Sequence, residues 1–414
     1  SPPDRSKPGG KHTRLMCQLL QCVHDSAPVI YGGRVYRPAV EDAVQIFSGL
    51  FIVYILEGKH RIHITVPHPA GPIALRSKIF QNHARAQQIA SGDGNPQRRH
   101  ISGQIRNIRL LIFPCLRHGE YPELVVLDAD LAGATMTKGF AQACPDRFFD
   151  MGIAEANMIG VAAGLAACGK KPFANSFAMF TAGRAYEQVR NSVAYPGLNV
   201  KCVGSHGGLS VGEDGATHQC LEDLALMSAI PGMTVINPCD GNEMRQAVLA
   251  LIEYKGPAYL RLGRMAVETV TDAIPGYKFE LGKAAMLRDG KDVTIAATGL
   301  MVQRALAAAE LLAGEGISAR VLDFHTIKPL DGEALLAAAK ETGCIVTTEE
   351  HSIMGGLGAA VAGFIGEHCP VPVVRHGVND EFGRSGKAEQ VLEAYGLTPA
   401  GIVLKVKKAL ELKK

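Results

Sequence analysis

Paired cysteines are missing from this chain. Its ten cysteines, Cys17, Cys22, Cys115, Cys144, Cys168, Cys202, Cys220, Cys239, Cys344 and Cys369, form no Cys-x-x-Cys pair. That scatter is the usage of a reducing compartment, where cysteine serves as a small buried hydrophobe, and a cytoplasmic location is the expectation. The first hundred residues also lack a long apolar run: Ile46 to Leu56 falls well short of the about 20 residues a bilayer span needs, so no membrane segment is expected. No charged-then-apolar opening with a small-residue cleavage site is present, which argues against a secretory signal.

Acidic residues are scarce at one end. Residues 1–118 hold 16 Lys+Arg against 6 Asp+Glu, whereas the remainder holds 27 against 34. An asymmetry of this size marks a nucleic-acid-binding arm or a segment of different origin. The arm has no interleaved aromatic pattern and no binding motif, so no nucleic acid is expected as a partner. Pro2-Pro3, Gly9-Gly10, His68-Pro69 and Gly92-Asp93-Gly94-Asn95-Pro96 interrupt it, and no helical or strand period is sustained. Residues 1–118 therefore stay unassigned, either disordered or not genuine coding sequence, for instance read in the wrong frame before Gly119. Their composition favours the second.

From about Gly119 the texture changes. A chain of 414 residues, 47% hydrophobic, can build two or three domains with real cores. Leu124-Val-Val-Leu127 reads as a buried strand ending in Asp128-Ala-Asp130, and Met151 to Cys168 reads as a helix rich in Ala and Gly. Strand-like runs recur at 172–177, 200–204, 234–237 and 258–262, with helical stretches at 184–193 and 241–254 between them. After a loop at 267–277 a second set follows at 293–297, 320–323, 344–348 and 371–375. Strands alternating with helices predict an α/β fold of two doubly wound domains, residues 119–275 and 276–414.

Open α/β sheets bind ligands beyond the carboxyl ends of their strands, and the suggestive residues fall in such loops. Asp128 and Asp130 end one strand, Phe177 and Phe180 follow another, and His206 follows a third. Glu155, in Gly152-Ile-Ala-Glu155, opens an apolar helix; by itself an acid there only offsets the helix dipole, by about 0.3–1 kcal/mol. Phe177 and Phe180 would ordinarily be core. The loop Ser205 to Gln219 is the most specific signal, packing His206, Glu213, Asp214 and His218 among glycines. Metal binding through the two histidines would need further ligands, and none is assigned in this chain. Arg261, in Tyr259-Leu-Arg261-Leu-Gly-Arg264, ends a strand, and Arg184 lies in Gly183-Arg-Ala-Tyr-Glu187. The planar fork of arginine suits phosphate.

Together Gly152-Ile-Ala-Glu155, Asn175-Ser-Phe-Ala-Met-Phe-Thr181 and Gly212-Glu-Asp-Gly-Ala-Thr-His218 resemble the transketolase family, over the stretch from about Gly119 to the end. The resemblance implies thiamine diphosphate as cofactor and a two-carbon ketol transfer from a ketose phosphate to an aldose phosphate, as in the pentose phosphate pathway of carbohydrate metabolism. It implies that Glu155 hydrogen-bonds the aminopyrimidine and activates the cofactor, that Phe177 and Phe180 stack on that ring, and that Asp130 lies against the cofactor site. His206 and His218 would bind donor hydroxyls and assist proton transfer, Asp214 would recognise a sugar hydroxyl, and Arg261, with Arg184 as a weaker candidate, would grip the sugar phosphate. Asp323-Phe-His-Thr-Ile-Lys-Pro-Leu-Asp331, Glu349 to Gly358 and Phe382 to Gly386 resemble the family's carboxyl-terminal domain, which supports dimerisation more than chemistry.

The resemblance omits one family domain, whose Gly-Asp-Gly element and later asparagines hold a divalent metal. Gly92-Asp93-Gly94 imitates it, but follows no strand and lies too near the next domain, and reads as chance. The chain thus resembles the carboxyl-terminal subunit of a split transketolase. An amino-terminal partner would ligate Mg2+ or another divalent ion, the chain alone would be inactive, and self-association into a heterotetramer is expected. Deoxyxylulose-phosphate synthase and the beta subunit of pyruvate dehydrogenase are the nearest rivals; the first resembles this chain around Arg184 but usually lacks a histidine at the position of His206.

Overall fold

The computed structural model describes residues 29–31, 34–36 and 121–413. The apolar run Ile46–Leu56, the Gly92–Gly94 imitation and nearly all of the unassigned segment 1–118 lie outside the described residues. Strands β1 (Val29–Tyr31) and β2 (Arg34–Tyr36) pair antiparallel.

The first domain is built on six parallel strands: β3 (Leu124–Asp128), β4 (Phe148–Asp150), β5 (Lys171–Phe177), β6 (Lys201–Ser205), β7 (Thr234–Ile236) and β8 (Ala258–Arg261). They lie side by side in the order β7-β8-β6-β5-β3-β4. Every residue of β3, β6, β7 and β8 is buried, as continuous apolar runs in a sheet covered on both faces require. After β3 the chain goes first to one side, as β4, then to the other, as β5, so the carboxyl ends of β3, β5 and β6 stand together. Helices α1 (Lys138–Ala143), α2 (Glu155–Ala167), α3 (Asp223–Ala229) and α4 (Gly241–Glu253) connect them. Helix α2 buries Met158, Ile159, Val161, Ala162, Ala163 and Leu165 on several sides, which its small residues permit.

Two local departures from expectation bear on function. Helix α2 begins at Glu155, not Met151: Asp150 Oδ1 accepts the Gly152 N–H at 3.1 Å, and Gly152 takes φ +69, a conformation that favours glycine and delays the helix. The expected helix at 184–193 is a composite. A single α turn at Tyr186–Gln188 is flanked by π-helical turns at Met179–Arg184 and Val189–Ala194, an irregularity frequent at functional sites.

The second domain carries β9 (Ala285–Arg288), β10 (Val293–Ala297), β11 (Ala319–Asp323), β13 (Ile345–Ser352) and β14 (Val373–Val378), ordered β14-β13-β10-β11-β9, all parallel except β9. Its helices are α5 (Met301–Gly314), α6 (Gly332–Thr342), α7 (Leu357–His368), α8 (Ala388–Ala394) and α9 (Pro399–Leu412). One core gathers Leu124, Phe173, Val203 and Leu260 of the first domain, a second Ile295, Val321, Val346 and Val406. Strand β12 (Thr326–Lys328) leaves the second domain and pairs antiparallel with β7, adding a seventh strand to the first sheet. None of the helices among the described residues is long and apolar enough to cross a membrane.

A buried acid cluster lies on this seam. Cys239, Glu243 and Asp323 bring their side-chain atoms within 4.8 Å of one another, all fully buried. Three such donors could suit a cation, but Glu243 already accepts the Cys239 N–H at 2.6 Å and the Tyr277 O–H. Asp240, the remaining acid facing the pair, is committed to Thr271 and the Glu243 N–H. Burial raises the pKa of both Asp323 and Glu243, and the neighbouring Glu243 carboxylate raises that of Asp323 further. Both folded pKa values are raised, so the folded protein binds protons more tightly than the unfolded chain. The stabilisation is complete below the unfolded carboxyl range and fades as pH rises through the folded values. Asp323→Asn, whose amide imitates the protonated acid, is expected to flatten the fall of melting temperature as pH rises above the unfolded carboxyl range. Parallel curves for the two proteins would refute the raised proton affinity of Asp323.

Candidate active site

Six of the residues singled out from the sequence, Glu155, Phe177, Phe180, Arg184, His206 and His218, meet at the carboxyl ends of β3, β5 and β6. Glu155, first residue of α2, is 2% exposed, and both its oxygens accept from Arg184 Nη1 at 3.0 Å. The Arg184 guanidinium lies 4.6 Å over the Phe180 ring. Phe180 stacks beside Phe177 with ring centroids 6.1 Å apart, and Phe177 stacks on His206 at 4.0 Å. The edge of His218 closes the group, 5.4 Å from Phe180 and 6.3 Å from Phe177. One continuous wall thus runs from a buried carboxylate across two phenylalanines to two imidazoles. Arg184, expected as a phosphate candidate, is instead engaged with Glu155 and Phe180.

The histidine loop is held in an unusual backbone. His206 takes φ +59, its ring Nδ1 lies 3.1 Å from Ser205 Oγ, and Gly207 N–H donates to the Leu262 carbonyl. Burial lowers its pKa to about 4, with Arg264 and His218 pushing the same way against Asp214. His206 is therefore neutral at pH 7, with one nitrogen to donate and one to accept. His218 is half-buried, with Nδ1 2.9 Å from Thr217 Oγ1. Asp214 is exposed on the loop's far end, 3.7 Å from Arg264 Nη1.

Asp130 stands on the neighbouring turn with φ +62. Its N–H and that of Gly152 both donate to Asp150 Oδ1 at 3.1 Å, so one carboxylate ties the Asp130 turn to the turn that launches Glu155. Asp128 is structural: Leu131 N–H, Thr135 Oγ1 and Thr137 Oγ1 all donate to it, and burial raises its pKa to about 6.

Arg261 is the correction. It was expected on a sugar phosphate, but it is 2% exposed, with Nε donating to Asp223 Oδ2 at 2.9 Å and Nη2 donating to the Glu350 carbonyl at 2.9 Å. Tyr259 O–H donates to the same Asp223 oxygen at 2.8 Å. The strand is buried on both faces, so a side chain inside it points into the seam between domains. Arg264, three residues on and beyond the strand end, is the exposed cation beside Asp214. Sequence reading passed over it, although Gly263 marks where the strand stops. The glycine run at 355–358, a weak phosphate-cradle signal, is also spoken for: Leu357 and Gly358 N–H both donate to the Glu349 carboxylate at 2.8 Å.

A buried acid next to a flat aromatic wall fits an aminopyrimidine, which needs one carboxylate at a ring nitrogen and an apolar face. Comparisons with known proteins point the same way. Residues 118–269 match the family described as "Transketolase, pyrimidine binding domain" and residues 282–402 the family "Transketolase, C-terminal domain". A putative transketolase C-terminal section from Methanocaldococcus jannaschii is 50% identical over 288 residues, 69% of this chain and 90% of that protein. The 6-deoxy-6-sulfo-D-fructose transketolase subunit of Clostridium sp. is 51% identical over 283 residues, 68% of this chain and 86% of that protein. A solved structure described as "Split gene transketolase, inactive beta4 tetramer" superposes with a TM-score of 0.69 at 50% identity, covering 75% of this chain and 98% of that one.

Proposed function

Since the chain belongs to the transketolase family, as the carboxyl-terminal subunit of a split thiamine enzyme, we propose that it transfers a two-carbon ketol unit from a ketose phosphate to an aldose phosphate, together with an amino-terminal partner. The carrying observation is Glu155, buried at the start of α2 beside the Phe177–Phe180 wall. Thiamine diphosphate, when bound, supplies carbanion stabilisation at its thiazolium carbon. Glu155 would bond the pyrimidine ring nitrogen, Phe177 and Phe180 would face the ring, and Asp130 would border it. Arg184 must release at least one Glu155 oxygen for this, and its half-exposed side chain has solvent to move into.

The donor sugar would lie along the histidines. Neutral His206 can donate a proton to a hydroxyl or accept one from it, His218 offers a second imidazole, and Asp214 can accept from a hydroxyl. Such groups left unpaired disfavour an analogue lacking the hydroxyl. Arg264 replaces Arg261 as the group for an anionic tail. The relative named for 6-deoxy-6-sulfo-D-fructose extends that tail from phosphate to sulfonate. The partner subunit would hold the diphosphate and its divalent ion. We keep the domain boundary near residue 275, in the loop between β8 and β9, a cytoplasmic site of action, and assembly as a heterotetramer within this proposal.

The test is ketol transfer from xylulose 5-phosphate to ribose 5-phosphate, with thiamine diphosphate and magnesium, by the chain alone and mixed with a candidate amino-terminal subunit. Activity in the mixture only is expected. Activity from the chain alone would overturn the split-site reading. Synthesis from pyruvate and glyceraldehyde 3-phosphate, without ketol transfer, would hand the site to the deoxyxylulose-phosphate synthase alternative.

A further inference from the structure

We propose that Glu350, from the second domain, is a positioning residue for the donor loop: it clasps the Gly207–Asp214 segment through the Ser210 amide and so sets where His206 and Asp214 stand. The inference rests on the transketolase reading of that loop and deepens it, since the second domain had been assigned no part in the chemistry.

The loop is held at several points along its length. Glu350 lies in β13, is 2% exposed, and its Oε1 accepts the Ser210 N–H. Gly208, at φ +88, passes so close that a Cβ there would fall 2.4 Å from Glu350 Cδ. A side chain at 208 is thus excluded both by backbone conformation and by the carboxylate it would strike. The Glu350 carbonyl is itself held, accepting from Arg261 Nη2 at 2.9 Å, and Arg261 is anchored on Asp223. The carboxylate therefore reaches the loop from a fixed base.

Gln219 Nε2 also ties the loop, donating to the carbonyls of Leu209 at 3.1 Å, Gly212 at 3.3 Å and Arg384 at 3.0 Å. A Cβ on Gly212, at φ +80, would meet the Gly386 carbonyl oxygen at 3.1 Å, and one on Gly215 would meet Ser385 Oγ at 2.2 Å. Second-domain residues 383–388 thus back the loop while Glu350 pulls on its middle. The loop has His206 just before it and Asp214 at its end, so a shift at Ser210 moves one donor-binding group relative to the other. Misplacing substrate groups by about 1 Å can cost on the order of 10²-fold in rate. Neither Glu350 oxygen need touch substrate for this.

The variants are Glu350→Ala, Glu350→Asp, which withdraws the acceptor by one methylene but keeps the charge, and Glu350→Gln, which keeps an acceptor oxygen in place. In the reconstituted two-chain enzyme, Ala and Asp are expected to lower kcat/KM for the ketose donor by on the order of 10–100-fold, mainly through KM, with thiamine diphosphate affinity unchanged. Gln is expected to stay within a few-fold of the parent. Hydrogen–deuterium exchange of the full chain gives a second readout that needs no activity: the Ser210 amide loses protection in Ala and Asp and keeps it in Gln. Unchanged protection in Asp overturns the clasp, as does an equal loss of cofactor and donor affinity, and Asp serves for both readouts if Ala does not fold. A folded parent pair with no ketol transfer would sink the transketolase reading instead, and exchange at Ser210 would still decide the clasp.

Discussion

Replacing Glu155 with glutamine is expected to abolish nearly all ketol transfer in the reconstituted enzyme, by roughly 10²–10⁴-fold in kcat, while leaving the fold and the pairing of subunits intact. The size follows from what the site must do. On the proposed reading this carboxylate meets a pyrimidine ring nitrogen, and an amide there cannot take part in moving that proton. The fold should survive because of how Glu155 is partnered. Its charge is met by Arg184, whose side chain is half-exposed and free to turn into water when the carboxylate becomes an amide. An ion pair with one solvated partner is worth about 0–1 kcal/mol at most after screening. The measurement is kcat for donor consumption beside the melting temperature and near-UV spectrum of the complex. A variant within threefold of the parent would remove Glu155 from the chemistry; one that melts early would make activity loss uninformative and require Arg184→Met to separate the two effects.

The parts of the site that could be read from sequence are those where residue type and chemistry coincide locally. Leu124-Val-Val-Leu127 could only be a buried strand, and Phe177, His206 and His218 converge because they follow neighbouring parallel strands. What escaped depends on partners far away in the chain. Arg261 and Arg264 carry the same charge and differ only in burial, which is decided by how far β8 runs before Gly263 and by the second domain lying across it. Five short strands, β1, β2, β4, β9 and β12, escaped for a related reason: with three or four residues each they show no period, and β12 is held by pairing with the edge of β7. The helix expected at 184–193 is part of a longer composite of π and α turns from Met179 to Ala194, packed against α2 and the sheet, and no sequence period marks those π turns. Glu350 and Asp223 look like ordinary surface acids by type; that both are buried at the seam is a tertiary fact.

Asp223 is the residue whose loss should cost this fold most. It sits in the first turn of α3, fully buried, where Arg261 Nε and Tyr259 O–H both donate to Oδ2, while Oδ1 faces His351 Nε2 at 4.0 Å. Burial lowers the pKa of His351 to about 4, so this histidine is neutral at pH 7, and Asp223 is the carboxylate in direct contact with the Arg261 guanidinium, with Glu350 a second acid acting on it. Asp223→Leu would remove the carboxylate that Nε donates to and leave the buried guanidinium with Nη2 bonded to the Cys220 and Glu350 carbonyls. Breaking one side of a buried pair costs about 3–5 kcal/mol, far above a typical surface change. The charge is what makes the site expensive, so removing it as well should recover stability: Asp223→Leu with Arg261→Met is expected to unfold at a higher urea midpoint than Asp223→Leu alone. The comparison also tests the correction to Arg261. If that arginine held substrate phosphate from an exposed position, as its place at a strand end first suggested, Asp223→Leu would shift the midpoint by a fraction of a kcal/mol and the double variant would gain nothing. A large single loss with partial recovery in the double would mean that Arg261 serves the seam between domains, and through the Glu350 carbonyl the loop that holds His206.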